Sequence, residues 1–367
     1  MDMTSGKPEL SIIVPVLNEA GIIQGLIRNL AEQRDVDFEV VICDGGSTDG
    51  TSDKVMEAAC DCFFPVRIVA CERGRGRQMN EGAAAARGSF LLFLHSDSIF
   101  RDRSALKKAI DELESAMAAA GHARVAGRFA LRFRLLGREP SLLYYYHESK
   151  ARLDRGECIH GDQGVLLGRL LFDSAGPFDE SMPVLEDTLF AERVRKAGQW
   201  ILLPCEIFTS ARRFEKEGPV EREILNALIM TLAAAGRGEI LREMPGIYSG
   251  QDQARRLRLF PFFHVIRKMI RELPFRDRMR FWGSCGSYAL ENAWQIAFAL
   301  DVRRNFRGGL PPGEGKPVFL DYFDRRISRA ARNTGLKTCA AVIAWLWFHI
   351  TLIGRYLWEK GGRWNDE

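Results

Sequence analysis

The stretch Ser89–Ser98, Ser-Phe-Leu-Leu-Phe-Leu-His-Ser-Asp-Ser, constrains the fold of this chain most. Its first half is a bulky apolar run bounded by Gly88, the pattern of a short strand buried on both faces of a parallel sheet. The second half turns polar at His95, so the strand ends there. In open α/β sheets ligands collect beyond the carboxyl ends of the strands, where Asp97 can hold a metal ion or a ribose. The alternative is that Asp97 only caps a turn. Other strand ends decide between the two.

Leu10–Leu17 is an apolar, β-branched run that reads as a buried first strand, with Pro15 marking where its ladder fails. Asn18-Glu19 opens a helix in which Ile22, Ile23, Leu26, Ile27 and Leu30 recur at helical spacing through about Glu32. Phe38–Cys43 supplies a second strand and completes a βαβ unit. It runs into Asp44-Gly45-Gly46-Ser47-Thr48-Asp49-Gly50-Thr51, a turn whose glycines admit close backbone approach and whose polar residues can cap a helix starting near Thr51. A third strand, Val66–Cys71, leads to Glu72-Arg73-Gly74-Arg75-Gly76-Arg77-Gln78-Met79-Asn80. Glycines and arginines at a helix entrance suit a bound phosphate, although the spacing is not that of a Walker loop and a solvated basic loop has the same composition. A Gly-rich turn with a leading Asp, a basic loop and a carboxylate together suit a nucleoside diphosphate and its metal.

The next segment adds a helix from about Arg103 to Ala119, a long strand Val125–Leu135 and a helix Leu142–Leu153. His160-Gly161-Asp162-Gln163-Gly164 sits between short strands, and Leu185-Glu186-Asp187-Thr188-Leu189-Phe190 begins a further helix. Acids at a helix start are commonplace dipole matching, so Glu186-Asp187 has a structural reading as well. A strand near Trp200–Leu203 precedes Thr209-Ser210-Ala211-Arg212-Arg213-Phe214.

Ser-Ile-Ile-Val-Pro-Val-Leu-Asn-Glu, Asp-Gly-Gly-Ser-Thr-Asp-Gly-Thr, Gly-Arg-Gly-Arg-Gln-Met-Asn and Phe-Leu-His-Ser-Asp-Ser resemble the nucleotide-sugar half of the family 2 glycosyltransferases. Gly-Asp-Gln, Gly-Pro-Phe-Asp and Leu-Glu-Asp-x-x-Phe-x-x-Arg resemble the acceptor half of the same family, in the same order. The resemblance covers roughly residues 9 to 240. It implies an α/β GT-A fold, a Rossmann-like, mostly parallel sheet flanked by helices. It also implies inverting transfer of a sugar from a nucleoside-diphosphate sugar to a hydroxyl acceptor, assisted by Mg²⁺ or Mn²⁺. Pro15, Asn18 and Glu19 then line the base and ribose site, Asp44 contacts the base, and Arg73, Arg75 and Arg77 flank the diphosphate. Gly46, Gln78, Asn80 and Ser96 join the donor site. Asp97 matches the metal-binding second acid of the family's Asp-x-Asp motif, while His95 replaces the first, a departure shared by a bacterial subgroup with Leu-His-x-Asp. Gly161, Asp162 and Gln163 fall on the acceptor side, Asp187 matches the catalytic base with Glu186 beside it, and Arg212 and Arg213 contact diphosphate or acceptor.

With 46% hydrophobic and 27% charged residues, the 367-residue chain is globular rather than disordered. Its net charge of +4 hides a split: residues 1–244 carry 31 Lys/Arg against 37 Asp/Glu, and residues 245–367 carry 21 against 11. We therefore expect a catalytic domain over 1–244 and a basic, mostly helical extension over 245–367, with a Gly/Pro linker at Arg307–Lys316. Eight cysteines without a CxxC pair read as free thiols, and an N-terminus without an apolar run leads us to expect a cytoplasmic first domain. Residues 338–354 carry no formal charge. As a helix they reach about 25 Å, slightly less than a bilayer core of about 30 Å. Trp345, Trp347, Tyr356 and Trp358 stand ready as interfacial anchors, so peripheral attachment to an anionic cytoplasmic membrane face is expected, with a tilted span and a buried helix as alternatives. Such surroundings suit a lipid-linked acceptor. No RNA-binding motif accompanies the basic clusters, so nucleic acid is not an expected partner. Two other functions fit the motifs, a nucleotide-sugar-binding protein without turnover and a nucleotidyltransferase on a related sheet.

Overall fold

The computed structural model describes residues 6–135, 141–249, 251, 256–329 and 333–361. The chain divides into two compact units, Met1–Ser210 and Ala211–Glu367. The division falls after Ser210, whereas the boundary expected from charge, Met244, lies inside a helix.

The first unit is built on a seven-stranded sheet. Its strands are β1 (Leu10–Val16), β2 (Phe38–Asp44), β3 (Val66–Ala70), β4 (Phe90–Phe93), β5 (Val125–Arg134), β6 (Val165–Gly168) and β7 (Gln199–Ser210). They lie in the order β3-β2-β1-β4-β6-β5-β7. The first four are mutually parallel, β6 is antiparallel to both its neighbours, and β5 pairs parallel with β7. Two reversals at β6 cancel, so the carboxyl ends of the other strands and the entrance to β6 share one edge. The helices are α1 (Ile23–Leu30), α2 (Thr51–Ala59), α3 (Arg75–Ala85), α4 (Ala105–Ala120), α5 (Leu142–Lys150), α6 (Arg169–Ala175) and α7 (Glu186–Ala197).

Alternation along the strands explains why the sheet is buried on both sides. Leu10, Ile12, Val14, Val40, Ile42 and Leu92 pack with Leu26 and Leu30 of α1 and Ile110 and Leu113 of α4 in one layer. Ile13, Val41, Cys43, Leu91 and Phe93 pack with Met79 of α3, Phe172 of α6 and Phe190 of α7 in the other. β2 also buries a charge. The Glu39 carboxylate accepts from Ser11 Oγ at 2.7 Å, Arg87 N at 2.6 Å, Arg67 Nη2 at 2.9 Å and Arg87 Nε at 3.0 Å.

The strand expected near Trp200–Leu203 is far longer. β7 runs to Ser210 because β5 pairs with it on both sides of an irregularity between Arg128 and Ala130; exposure alternates up to Glu206, and Ile207, Phe208 and Thr209 are then buried in succession.

The second unit is helical, as the basic extension implied. It comprises α8 (Arg212–Glu217), α9 (Pro219–Ala234), α10 (Gly238–Ser249), α11 (Phe260–Glu272), α12 (Phe275–Glu291), α13 (Trp294–Arg307), α14 (Val318–Tyr322) and α15 (Thr334–Gly361). α12 and α15 touch backbone to backbone at Gly286, where an added Cβ would lie 2.4 Å from Ala341 N. The other end of α15 is tied in by polar contacts: Arg355 Nη1 lies 3.0 Å from Glu221 Oε1, and Glu359 Oε1 accepts from the N–H groups of Leu259 at 2.9 Å and Phe260 at 3.1 Å, at the start of α11. Its outer face leaves Val342, Ile343, Ile350, Ile353 and Leu357 exposed.

Candidate active site

Two loops at the carboxyl ends of β1 and β2 are stitched together. Asn18 N donates to Ser47 Oγ at 2.9 Å, Thr48 N to Asn18 Oδ1 at 2.9 Å, and Glu19 N to Thr51 Oγ1 at 2.8 Å. Asp44 closes its own turn by accepting from Ser47 N at 2.8 Å and Ser52 Oγ at 2.7 Å. Burial alone would raise the Asp44 pKa, but these hydrogen bonds outweigh it and hold the carboxyl below its ordinary range. Pro15 does not break the ladder as its ring suggested: β1 continues past it to Val16, with Pro15 opposite Cys43, and Gly46, at φ +89°, takes a backbone conformation that favours glycine.

The residues of the basic loop have separate tasks. Gln78 is buried, and its Nε2 donates to Val16 O at 2.8 Å and Cys43 O at 2.7 Å, clamping the ends of β1 and β2. Asn80 exchanges hydrogen bonds with the Phe178 backbone, 3.0 Å outward and 2.8 Å inward. Both side chains are thereby engaged within the protein. Arg77 pairs with Glu72 and with Glu180, the latter at 3.0 Å, while Arg73 is exposed.

Arg75, the first residue of α3, reaches the start of α7. Its Nε donates to Glu186 Oε1, and its Nη2 lies 3.5 Å from Asp187 Oδ2. Glu186 is only 1% exposed, and its second carboxyl oxygen is buried without a hydrogen-bond partner. α7 is anchored by Phe190, whose ring stacks on Phe178 at 4.2 Å, and is entered through Leu185 at φ +67°, a strained conformation for a branched residue.

Asp187 is held from several sides. Gly161 N donates to Oδ2 and Thr188 N to Oδ1, both at 2.8 Å. Burial would raise its pKa, but Arg75, His160 and the two backbone N–H groups prevail and bring it down to about 2. Burial pushes His160 down to about 4, so at neutral pH its ring is uncharged and Arg75 supplies the positive charge. Gly161 sits between two side chains of the site: a Cβ there would lie 2.9 Å from Asp187 Oδ2 and 3.3 Å from His95 Nε2. Asp162 follows it with Oδ1 buried and without a hydrogen-bond partner. Burial, together with the charges of Asp187 and Asp97, raises its carboxyl to about 6. Gln163 is buried and donates to Cys158 O at 2.6 Å.

Asp97 lies beyond β4, where its Oδ1 accepts from Thr209 Oγ1 and its Oδ2 from Ser210 N, each at 3.3 Å. Arg134 Nη2 donates to its backbone carbonyl at 2.8 Å, and the neighbouring Ser96 is buried. Among the described residues no three His, Cys, Asp or Glu side chains form a metal-binding group. Asp97 alone nevertheless suits a hard divalent cation that takes its remaining ligands from phosphate oxygens and water, because such ions need only one or two carboxylates. The partnerless Asp162 oxygen nearby adds to the negative potential favouring one.

Arg212 and Arg213 follow Ser210 closely in sequence. They open α8 of the second unit, where Arg213 Nε lies 3.9 Å from Glu217. Sequence reasoning passed over Thr209 and Ser210 as partners of Asp97, and over His160 beside Asp187. The available signals were two hydroxyl residues at a strand end and a histidine preceding Gly-Asp-Gln.

Residues 11–169 match the family model described as glycosyl transferase family 2. Among curated relatives, a PGL/p-HBAD biosynthesis glycosyltransferase of Mycobacterium bovis is 35% identical over 107 residues, 28% of this chain and 40% of the relative. An uncharacterized glycosyltransferase of Nostoc is 33% identical over 96 residues, 25% of this chain and 29% of the relative. The chain thus spans less than half the length of these relatives. Among solved structures, residues 1–349 of S. aureus TarS in complex with UDP align with a TM-score of 0.47 at 18% identity, over 86% of this chain and 91% of that one. Residues 11–169, which hold most of the α/β sheet, thus match glycosyl transferase family 2 over somewhat less than half of the chain.

Proposed function

We propose that the first unit transfers a sugar from a nucleoside-diphosphate sugar to a hydroxyl acceptor with inversion. The observation that carries this reading is the meeting of three loops at the carboxyl edge of the sheet: Gly161 N donates to Asp187 Oδ2 at 2.8 Å, and a Cβ on Gly161 would lie 3.3 Å from Nε2 of His95, two residues before Asp97. In this mechanism Asp187 takes the acceptor's hydroxyl proton while the acceptor oxygen forms its bond to the anomeric carbon. The bond from that carbon to the diphosphate oxygen breaks, and the diphosphate leaves with the electron pair. Asp97 would hold a divalent ion such as Mg²⁺ or Mn²⁺, which when bound neutralises charge on the departing diphosphate. The stitched loops carrying Asn18, Glu19 and Asp44 receive the nucleoside, Arg73 and the N-terminus of α3 face the diphosphate, and Gly161–Gln163 border the acceptor. Asp187 lies beyond the residues matched by the family model, so its role rests on this geometry.

We further propose peripheral attachment of the second unit to an anionic membrane face on the cytoplasmic side, which suits a lipid-linked acceptor. Thr334–Glu359 is long and apolar enough to cross a membrane. Its ties to α9, α11 and α12 favour lying along the surface with the apolar outer face in the interface.

Calorimetric titration with UDP-, GDP- and dTDP-sugars, with and without Mn²⁺, tests the donor reading. One donor is expected to bind with metal dependence, Asp97→Ala to abolish that dependence, and Asp187→Asn to spare binding while lowering turnover by about 10²-fold or more. Failure of every donor to bind would overturn the reading.

A further inference from the structure

Arg75 is placed to serve two anions. Its side chain is 36% exposed, with Nε on Glu186 and Nη2 on the longer contact to Asp187. A guanidinium presents five N–H donors in a planar fork, so the edge turned from these acids remains available to another ligand. Arg75 also opens an 11-residue helix, after Gly74 at φ +149°, and the free N–H groups of a helix start favour a bound anion. A diphosphate matches a guanidinium bidentately and carries more charge than one carboxylate. The contact it would most readily displace is the weaker one, the 3.5 Å approach to Asp187.

We infer that Arg75 is a donor-responsive positioning residue: the diphosphate of a bound donor draws its guanidinium off Asp187 and so converts that carboxylate from an ion-pair partner into a working base. The inference rests on the donor reading above. With Arg75 in place, Asp187 sits at about 2, too weak a base to take a hydroxyl proton efficiently. The other groups facing it are Glu186 and Thr188 N on its own helix, His160, Gly161 N and Asp162 on the preceding turn, and His95 across Gly161. Of these His160 is neutral and Glu186 and Asp162 are acids, so once Arg75 moves, burial and like charge raise Asp187. Base strength is thereby coupled to donor occupancy, and productive acceptor binding follows donor binding.

Carboxyl ¹³C NMR of the full chain tests this, with the Asp187 resonance identified by its loss in Asp187→Asn. Its titration is followed from pH 4 to 7 with and without the nucleoside diphosphate that binds by calorimetry, both at saturating Mg²⁺. The expected result is a flat resonance in the free protein and, on saturation, a rise in pKa of roughly two units or more, which brings the titration into this range. In Arg75→Gln the raised value is expected already without ligand, with no further rise, whereas Arg75→Lys retains the ligand response. Binding of the diphosphate with no change at Asp187 would overturn the inference and leave the donor reading intact. Failure of any nucleoside diphosphate to bind would overturn both.

Discussion

A single hydrogen atom in place of a methyl group at position 161 lets Asp187 and His95 approach the same turn. A Cβ there would press on Asp187 Oδ2 at 2.9 Å, against an oxygen already hydrogen-bonded to Gly161 N. Gly161→Ala is therefore expected to lower kcat by roughly 10- to 100-fold through misaiming the base, with donor affinity unchanged, as initial rates of nucleoside diphosphate release would reveal. Arg75→Ala belongs to a different class. It strands Glu186, 1% exposed, without its partner, and should cost about 3 kcal/mol in a urea unfolding curve as well as activity. The placement of Asp97, Gly161 and Asp187 at strand and helix ends was legible in the sequence because each stands in a short motif after an apolar run or before a helical one. The partnership of Arg75 with Glu186 was not, since the two are 111 positions apart and a basic loop looks the same whether it meets phosphate, water or acids.

Among the elements, β2 carries the clearest electrostatic liability. Burial would raise the Glu39 pKa, but the Arg87 backbone N–H, Ser11, Arg67 and the Arg87 side chain outweigh it and depress the folded value. A depressed carboxyl contributes stability above its unfolded pKa of about 4.3 and loses that contribution as pH falls through the lower folded value. Glu39→Gln should thus be less stable than the parent by about 2 kcal/mol or more at pH 7. That gap should close progressively below about pH 4, as urea midpoints across pH will show. The crossing of α12 and α15 gives a second contrast. Gly286→Ala forces a Cβ against the Ala341 backbone and should destabilise by about 1–3 kcal/mol. Gly283→Ala, with nothing within 4 Å, should stabilise by about 0.5–1 kcal/mol through helix propensity. Strand existence was readable from apolar runs, but the reach of β7 was not: Glu206, Thr209 and Ser210 look like loop until their pairing with Ala130, Phe133 and Arg134 is known.

At the scale of the whole molecule, the charge split between the two parts of the sequence predicted different surroundings. The second unit does present an apolar helix face amid basic residues. In vesicle flotation the chain should float with anionic bilayers and detach from neutral ones, and raised salt should weaken the attachment. Replacing Ile343, Ile350 and Ile353 together by Ser should reduce flotation by at least about 10-fold, because each exposed apolar side chain contributes on the order of 1 kcal/mol when inserted. The Gln78 clamp has a consequence for motion in the first unit. One amide nitrogen serves the carbonyls ending both β1 and β2, and the loops beyond them share their hydrogen bonds. Neither loop can loosen without the other, so their amides should exchange with deuterated solvent as one cooperative group with a common opening rate. The pair forms a stiff rim, and adjustment to anything that settles there falls to side chains that turn within it.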